Sequence, residues 1–159
     1  MPPGTSVLEL GMGPGKDLDL LNGPFQATGS DYAQPFLDRY RELHPQADLL
    51  LLDAVTMDTD RTFDAIYSNK VLYHLTQEEL RASLHNQARV LNPNGVLLHS
   101  LWYGDGEEDM HGLHFVYYTE ETFGALVGDE FETVETARYT EMEQDDSFYV
   151  VLRKRPSDT

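Results

Sequence analysis

Short apolar runs alternate with amphipathic segments from one end of the chain to the other, which predicts an α/β fold. Residues 6–10, 25–30, 48–52, 63–68 and 96–102 read as five strands. A Gly-rich turn and a short helix over residues 16–21 separate the first two, completing a βαβ unit. Residues 32–44 carry Phe36, Leu37, Tyr40 and Leu43 at helical spacing and stop before Pro45. Thr76-Gln77-Glu78-Glu79 matches a capping box and opens a helix with Leu80, Leu84, Ala88 and Leu91 on one face. Asn92-Pro93-Asn94-Gly95 ends that helix, residues 103–116 read as a polar, Gly-rich loop, and Thr119 caps a further helix through Val127. Residues 131–139 and 148–153, joined by the acidic segment 141–146, predict an antiparallel hairpin, unlike the all-parallel close of a dinucleotide-binding sheet.

At 159 residues and 40% hydrophobic content the chain is predicted to form a single domain over residues 1–159. The longest purely aliphatic run, residues 49–52, is far short of a membrane span, and the N-terminus lacks the basic and apolar regions of a signal peptide. A soluble, cytoplasmic protein is the expectation. The absence of cysteine removes disulfides, thiolate nucleophiles and cysteine-ligated metals from consideration. A formal net charge of −17 repels phosphate backbones and anionic lipid, so no nucleic-acid partner and no membrane surface is expected.

The candidate chemistry starts at Glu9-Leu10-Gly11-Met12-Gly13-Pro14-Gly15, where a strand hands over to a helix and glycines let a ligand approach the backbone. The dinucleotide fingerprint fails in both registers, because its sixth position falls on Lys16 or Leu18. A phosphate-binding loop fails as well, since Gly15-Lys16 is followed by Asp17 in place of Ser or Thr. Asp31 closes the second predicted strand, the usual place for a carboxylate that accepts ribose hydroxyls, and Asp53-Ala54 closes the third.

Acidic-x-Gly-x-Gly-x-Gly followed by these two acidic strand ends resembles the class I S-adenosylmethionine-dependent methyltransferases. So do Phe63-Asp64-Ala65-Ile66-Tyr67-Ser68-Asn69, Val71-Leu72-Tyr73-His74-Leu75 and Ala88-Arg89-Val90-Leu91-Asn92-Pro93-Asn94-Gly95, and the likeness runs from Val7 nearly to the C-terminus. It implies a Rossmann-like three-layer sandwich with a seven-stranded mixed sheet, the last strand antiparallel and inserted beside the fifth. It implies S-adenosyl-L-methionine as cofactor and methyl transfer to a small organic acceptor, with a non-catalytic S-adenosylmethionine-binding or scaffold subunit as the alternative. By the same likeness Glu9 organises the loop and the methionine ammonium, and Gly11, Gly13 and Gly15 make room for methionine and ribose. Asp31 takes the ribose, Asp53 and Ala54 the adenine, and Asn69 completes the cofactor set. Charge supports this independently: the cofactor carries an ammonium and a sulfonium against one carboxylate, so an acid beside the loop suits it and does not suit a pyrophosphate.

Methyl transfer from a sulfonium chiefly needs positioning and exclusion of water, so no fixed catalytic residue is assigned. Tyr73, His74 and His99 are the candidates, with Tyr67, Ser68, Trp102 and Tyr103 on neighbouring strand ends. His99 lies inside an apolar strand and reads as a buried, hydrogen-bonded histidine before it reads as a base. His111 and His114 beside Glu107, Glu108 and Asp109 read as an acidic loop with incidental histidines, so no metal site is assigned. The resembled family usually carries N-terminal helices over the cofactor, whereas here the first strand starts near residue 6. The domain is therefore expected to lack that lid, with residues 103–116, a homodimer or a partner subunit as its replacement.

Overall fold

The computed structural model describes residues 1–156. Its first half is a run of parallel strands with crossover helices: β1 (Ser6–Glu9), α1 (Lys16–Leu21), β2 (Gln26–Asp31), α2 (Gln34–Leu43), β3 (Leu49–Leu51) and β4 (Phe63–Asn69). A 3-10 turn at Leu72–His74 leads to α3 (Gln77–Val90) and β5 (Leu91–Trp102). The remainder is β6 (Glu107–Met110), β7 (Leu113–Val116), α4 (Glu120–Gly124), β8 (Phe131–Tyr139) and β9 (Ser147–Lys154).

Seven strands form one sheet in the order β3-β2-β1-β4-β5-β9-β8, with β1 to β5 mutually parallel. β9 runs antiparallel between β5 and β8, with Leu98 opposite Val151 and Ser100 opposite Tyr149. The mixed seven-stranded sheet that the family resemblance implies is thus the one observed. Its larger core joins the β1, β4, β5 and β9 strands to α3 through Leu8, Ile66, Leu80, Leu84, Leu97, Phe148 and Leu152. A smaller cluster of Met12, Leu18, Leu37 and Tyr40 seats α1 and α2.

Local chemistry explains the helix starts. The hydroxyl of Thr76 accepts from the Glu79 N–H at 3.1 Å and the Glu79 carboxylate accepts from the Thr76 N–H at 2.9 Å, so the capping box is formed. Such a cap contributes about 1 kcal/mol. Thr119 caps α4 in the same manner, with Thr122 as its reciprocal partner.

Three local expectations are corrected. Residues 103–116, read as a polar, Gly-rich loop, contain a two-stranded antiparallel hairpin, β6 with β7. Phe115 anchors it, its ring centroid 5.3 Å from Tyr73 and 5.1 Å from His74, contacts that no sequence periodicity reports. The segment Asn92-Pro93-Asn94-Gly95 is the irregular first part of β5, not a turn ahead of it: pairing with β4 shifts register between Phe63 and Ala65, and Asn94 takes φ +65°. The last helix ends at Gly124 and does not reach Val127.

Candidate functional site

The C-terminal ends of β1 to β4 converge where the sheet order turns from β1 toward β2 on one side and β4 on the other, the place where open α/β sheets bind ligands. The glycine loop hangs between these strands: Leu10 N–H donates to the Tyr67 carbonyl at 2.9 Å and Met12 N–H to the Ser30 carbonyl at 2.8 Å. Gly11 sits at φ +61° with Val71 so close that a Cβ would lie 2.7 Å from its methyls. Gly13, at φ +52°, has nothing within 4 Å of a would-be Cβ, so its surface is open backbone. Gly15 stands at the start of α1.

Three carboxylates surround this opening. Glu9 is only 4% exposed, and its Oε1 has no hydrogen-bond partner among the described residues. Burial first, then the neighbouring Asp17 and Asp31, pushes its carboxyl up to about 8. Asp31 accepts from Gly13 N–H through Oδ2 and from Ala33 N–H through Oδ1, both at 2.9 Å. Asp53 accepts from Val55 N–H at 2.7 Å, while the Ala54 carbonyl accepts from the Ser83 hydroxyl on α3. Each of these carboxylate oxygens keeps a further acceptor site for a ligand.

Asn69 is tied into the same cluster through a residue the sequence reading did not single out. Its Nδ2 donates to Asp17 Oδ2 at 3.1 Å, and the Tyr67 hydroxyl donates to the same oxygen at 2.8 Å. Asp17 therefore latches the first turn of α1 to the end of β4. Its position two residues past Gly15 was the available signal, but which strand it reaches is a tertiary fact.

The residues present fit an ammonium-bearing nucleoside ligand. A buried carboxylate oxygen without a partner is costly unless a cation or donor completes it, and Glu9 lies directly ahead of the open glycine backbone. Glu9, Gly11, Gly13, Gly15, Asp31, Asp53, Ala54 and Asn69 all belong to the strand ends and loops on this one edge of the sheet.

The three candidates for chemistry are placed differently. His99 is fully buried. Gln87 spends its Nε2 donating to Ser83 at 2.9 Å, so its Oε1 accepts from His99 Nε2–H at 2.7 Å, and His99 Nδ1 accepts from the Ser68 hydroxyl at 2.6 Å. Burial pushes the imidazole down to about 3, so it is neutral and has neither a free nitrogen nor an open face with which to take a proton. His74 donates Nδ1–H to the His114 carbonyl at 3.1 Å, which leaves Nε2 as its lone-pair nitrogen. Tyr73 lies against the His74 ring at 4.0 Å and meets the edge of Trp102 at 6.4 Å. It lines a cavity of about 410 Å³ with Trp102, Tyr103, Phe115 and Tyr117.

His114 is engaged by Asp109 at 2.8 Å and by Glu107 at 3.5 Å, and His111 occupies the hairpin turn at φ +52°. Tyr118 is a core residue packed edge-on against Phe123.

A family model described as a methyltransferase domain matches residues 7–95. A probable tRNA methyltransferase 9B of Mus musculus is 32% identical over 102 residues, covering 63% of this chain and 22% of that protein. A trans-aconitate 2-methyltransferase of Variovorax paradoxus is 33% identical over 101 residues, covering 61% of this chain and 38% of that protein. The chain thus spans well under half the length of these curated relatives. Among solved structures, the N-methyltransferase NodS of Bradyrhizobium japonicum in complex with S-adenosylhomocysteine superimposes with a TM-score of 0.77 at 20% identity, over 96% of this chain and 79% of that one.

Proposed function

We propose, from the premise that this chain belongs to the class I S-adenosylmethionine-dependent methyltransferase family, that its strand-end cradle binds S-adenosyl-L-methionine and that the protein transfers the methyl group to a small organic acceptor. The observation that carries the reading is the buried carboxylate oxygen of Glu9, without a partner among the described residues, beside an open glycine backbone. When bound, the cofactor supplies an electrophilic methyl on a sulfonium. The chain's own residues bind and orient. Glu9 offers its carboxylate to the ammonium, Asp31 its remaining acceptor sites to the ribose hydroxyls, and Asp53 with Ala54 the adenine edge. Asp17, Tyr67 and Asn69 hold the loop and the end of β4 at a fixed separation.

A small acceptor is favoured over RNA by charge. A net charge of −17, from 11 Lys and Arg against 28 Asp and Glu, repels a phosphate backbone overall, although curated relatives include tRNA methyltransferases. The domain organisation is proposed to be a single unit over residues 1–159, and among the described residues no helix is long and apolar enough to cross a membrane.

The reading is tested by calorimetric titration with S-adenosylhomocysteine, followed by a screen of small acceptors that monitors release of S-adenosylhomocysteine from S-adenosylmethionine. Binding with turnover is the expected result. Binding without turnover across the screen would support a scaffold subunit instead, and absence of binding would remove the cofactor from the account.

A further inference from the structure

The aromatic cavity at the ends of β4 and β5 has a chemistry of its own. Val71 packs against Gly11 of the glycine loop, and two residues later Tyr73 forms the cavity wall, so one short segment after β4 serves both the loop and the cavity. Tyr73, Trp102, Tyr103, Phe115 and Tyr117 line its sides, and Glu143 and Asp146 stand at its margin. Aromatic faces attract cations through the negative charge of the ring surface, and the chain already uses two of these rings in that way. Lys70 Nζ lies 3.5 Å from the centroid of the Trp102 ring, and the Arg138 guanidinium carbon lies 3.9 Å from that of Tyr103.

Both of these cations are neutralised within the chain. Lys70 pairs with Glu141 at 2.7 Å and Arg138 with Glu120 at 2.8 Å. What is left over at the cavity is negative. The Glu143 carboxylate has no ion pair among the described residues, and the Tyr117 hydroxyl donates to Glu108 at 3.1 Å. The Asp146 carboxylate is kept ionised, well below the usual range, by the backbone N–H groups of Glu143, Glu141 and Met142. An anionic acceptor would find no unpaired cation here and would face two carboxylates; a cationic one would find aromatic walls and Glu143.

We infer that this cavity receives the methyl acceptor and that the acceptor is an amine, cationic in solution, with a flat or apolar body; the inference rests on the cofactor reading above. The step balances simply. The ammonium gives up one proton to water, and the freed nitrogen lone pair forms the N–C bond to the methyl. The S–C bond breaks with its electron pair passing to sulfur, leaving S-adenosylhomocysteine and the N-methylated amine.

Three probes of similar size test the selectivity: phenethylamine, 3-phenylpropionate and 3-phenyl-1-propanol, each titrated into the protein with and without saturating S-adenosylhomocysteine. Phenethylamine is expected to bind about tenfold or more tightly than either of the others, with the advantage shrinking as salt is added. Glu143→Gln, at an exposed side chain that supports no other group, is expected to remove about threefold or more of that advantage while the fold is retained. Tyr73→Leu is expected to weaken the amine more than the alcohol. Equal affinity for the three probes, or tighter binding of the propionate, would overturn the inference. Absence of a signal from S-adenosylhomocysteine itself would fail the cofactor reading separately, since amine selectivity is also read on the free protein.

Discussion

Replacing Glu9 by glutamine should stabilise the free protein and weaken its ligand, two effects of opposite sign from one buried group. In the free protein the Glu9 carboxyl is raised from 4.5 to about 8, by burial first and then by Asp17 and Asp31. An acid raised on folding contributes its full stability below pH 4.5 and loses it as pH climbs toward about 8, because the folded state holds the proton longer than the unfolded state. At about 1.4 kcal/mol per pH unit, that window withdraws up to about 5 kcal/mol. Even a fifth of this, about 1 kcal/mol, moves the melting temperature of a chain this size by about 2–4 °C. Glu9→Gln should therefore melt higher than the parent at pH 8 and close to it at pH 4.5. At pH 7 about nine in ten Glu9 carboxyls carry a proton, so pairing with a ligand ammonium should release close to one proton per S-adenosylhomocysteine bound. Calorimetry in two buffers of different ionisation enthalpy counts that proton. In Glu9→Gln the release should vanish and the affinity fall by about tenfold or more, the scale of a lost hydrogen bond to a charged group. No proton release from the parent, together with an unchanged melting temperature in the variant, would refute the pairing of Glu9 with an ammonium.

Asp31→Ala should weaken S-adenosylhomocysteine and also cost about 1–3 kcal/mol of stability, because it strands the N–H groups of Gly13 and Ala33 as well as removing the ribose acceptor; a variant with full affinity by titration would take Asp31 out of the site. Gly13→Val should fold yet fail to bind in the same titration, since its side chain would fill the open face of the loop at a left-handed φ; retained tight binding would make the loop only a turn. His99, held neutral at about 3, should make the protein lose stability as pH falls below 6.5, by up to about 1.4 kcal/mol per pH unit. Urea unfolding of His99→Gln should show a shallower slope between pH 6.5 and 5, and identical slopes would exclude a buried neutral imidazole.

The cradle was legible in the sequence because it is built from residues tied to strand ends. Glu9 and Asp53 each follow an apolar run and Asp31 closes a segment of small residues, and a parallel sheet brings those ends together whatever the crossovers between them. The capping box at Thr76 was legible because both of its partners lie within one helical turn. What the sequence hid is long-range. β6 alternates no apolar and polar faces, since Glu107, Glu108, Asp109 and Met110 are all exposed, and the hairpin is held by Phe115 against a turn some forty residues earlier in the chain. Lys70 carries no motif or periodicity that marks it in the sequence. Only the fold shows its side chain laid over Trp102 between Glu141 and Ser147, from a backbone at φ +56°. His99 could not be assigned a face from alternation alone, and the residues that settle its role, Gln87 and Ser68, come from α3 and β4.

Equilibrium dialysis of radiolabelled S-adenosylmethionine against the purified protein, with unlabelled S-adenosylhomocysteine or NAD as competitor, tests the central claim most directly. One label bound per chain, displaced by S-adenosylhomocysteine and untouched by NAD, is the predicted result. No retained label, or label displaced by NAD and not by S-adenosylhomocysteine, would contradict it.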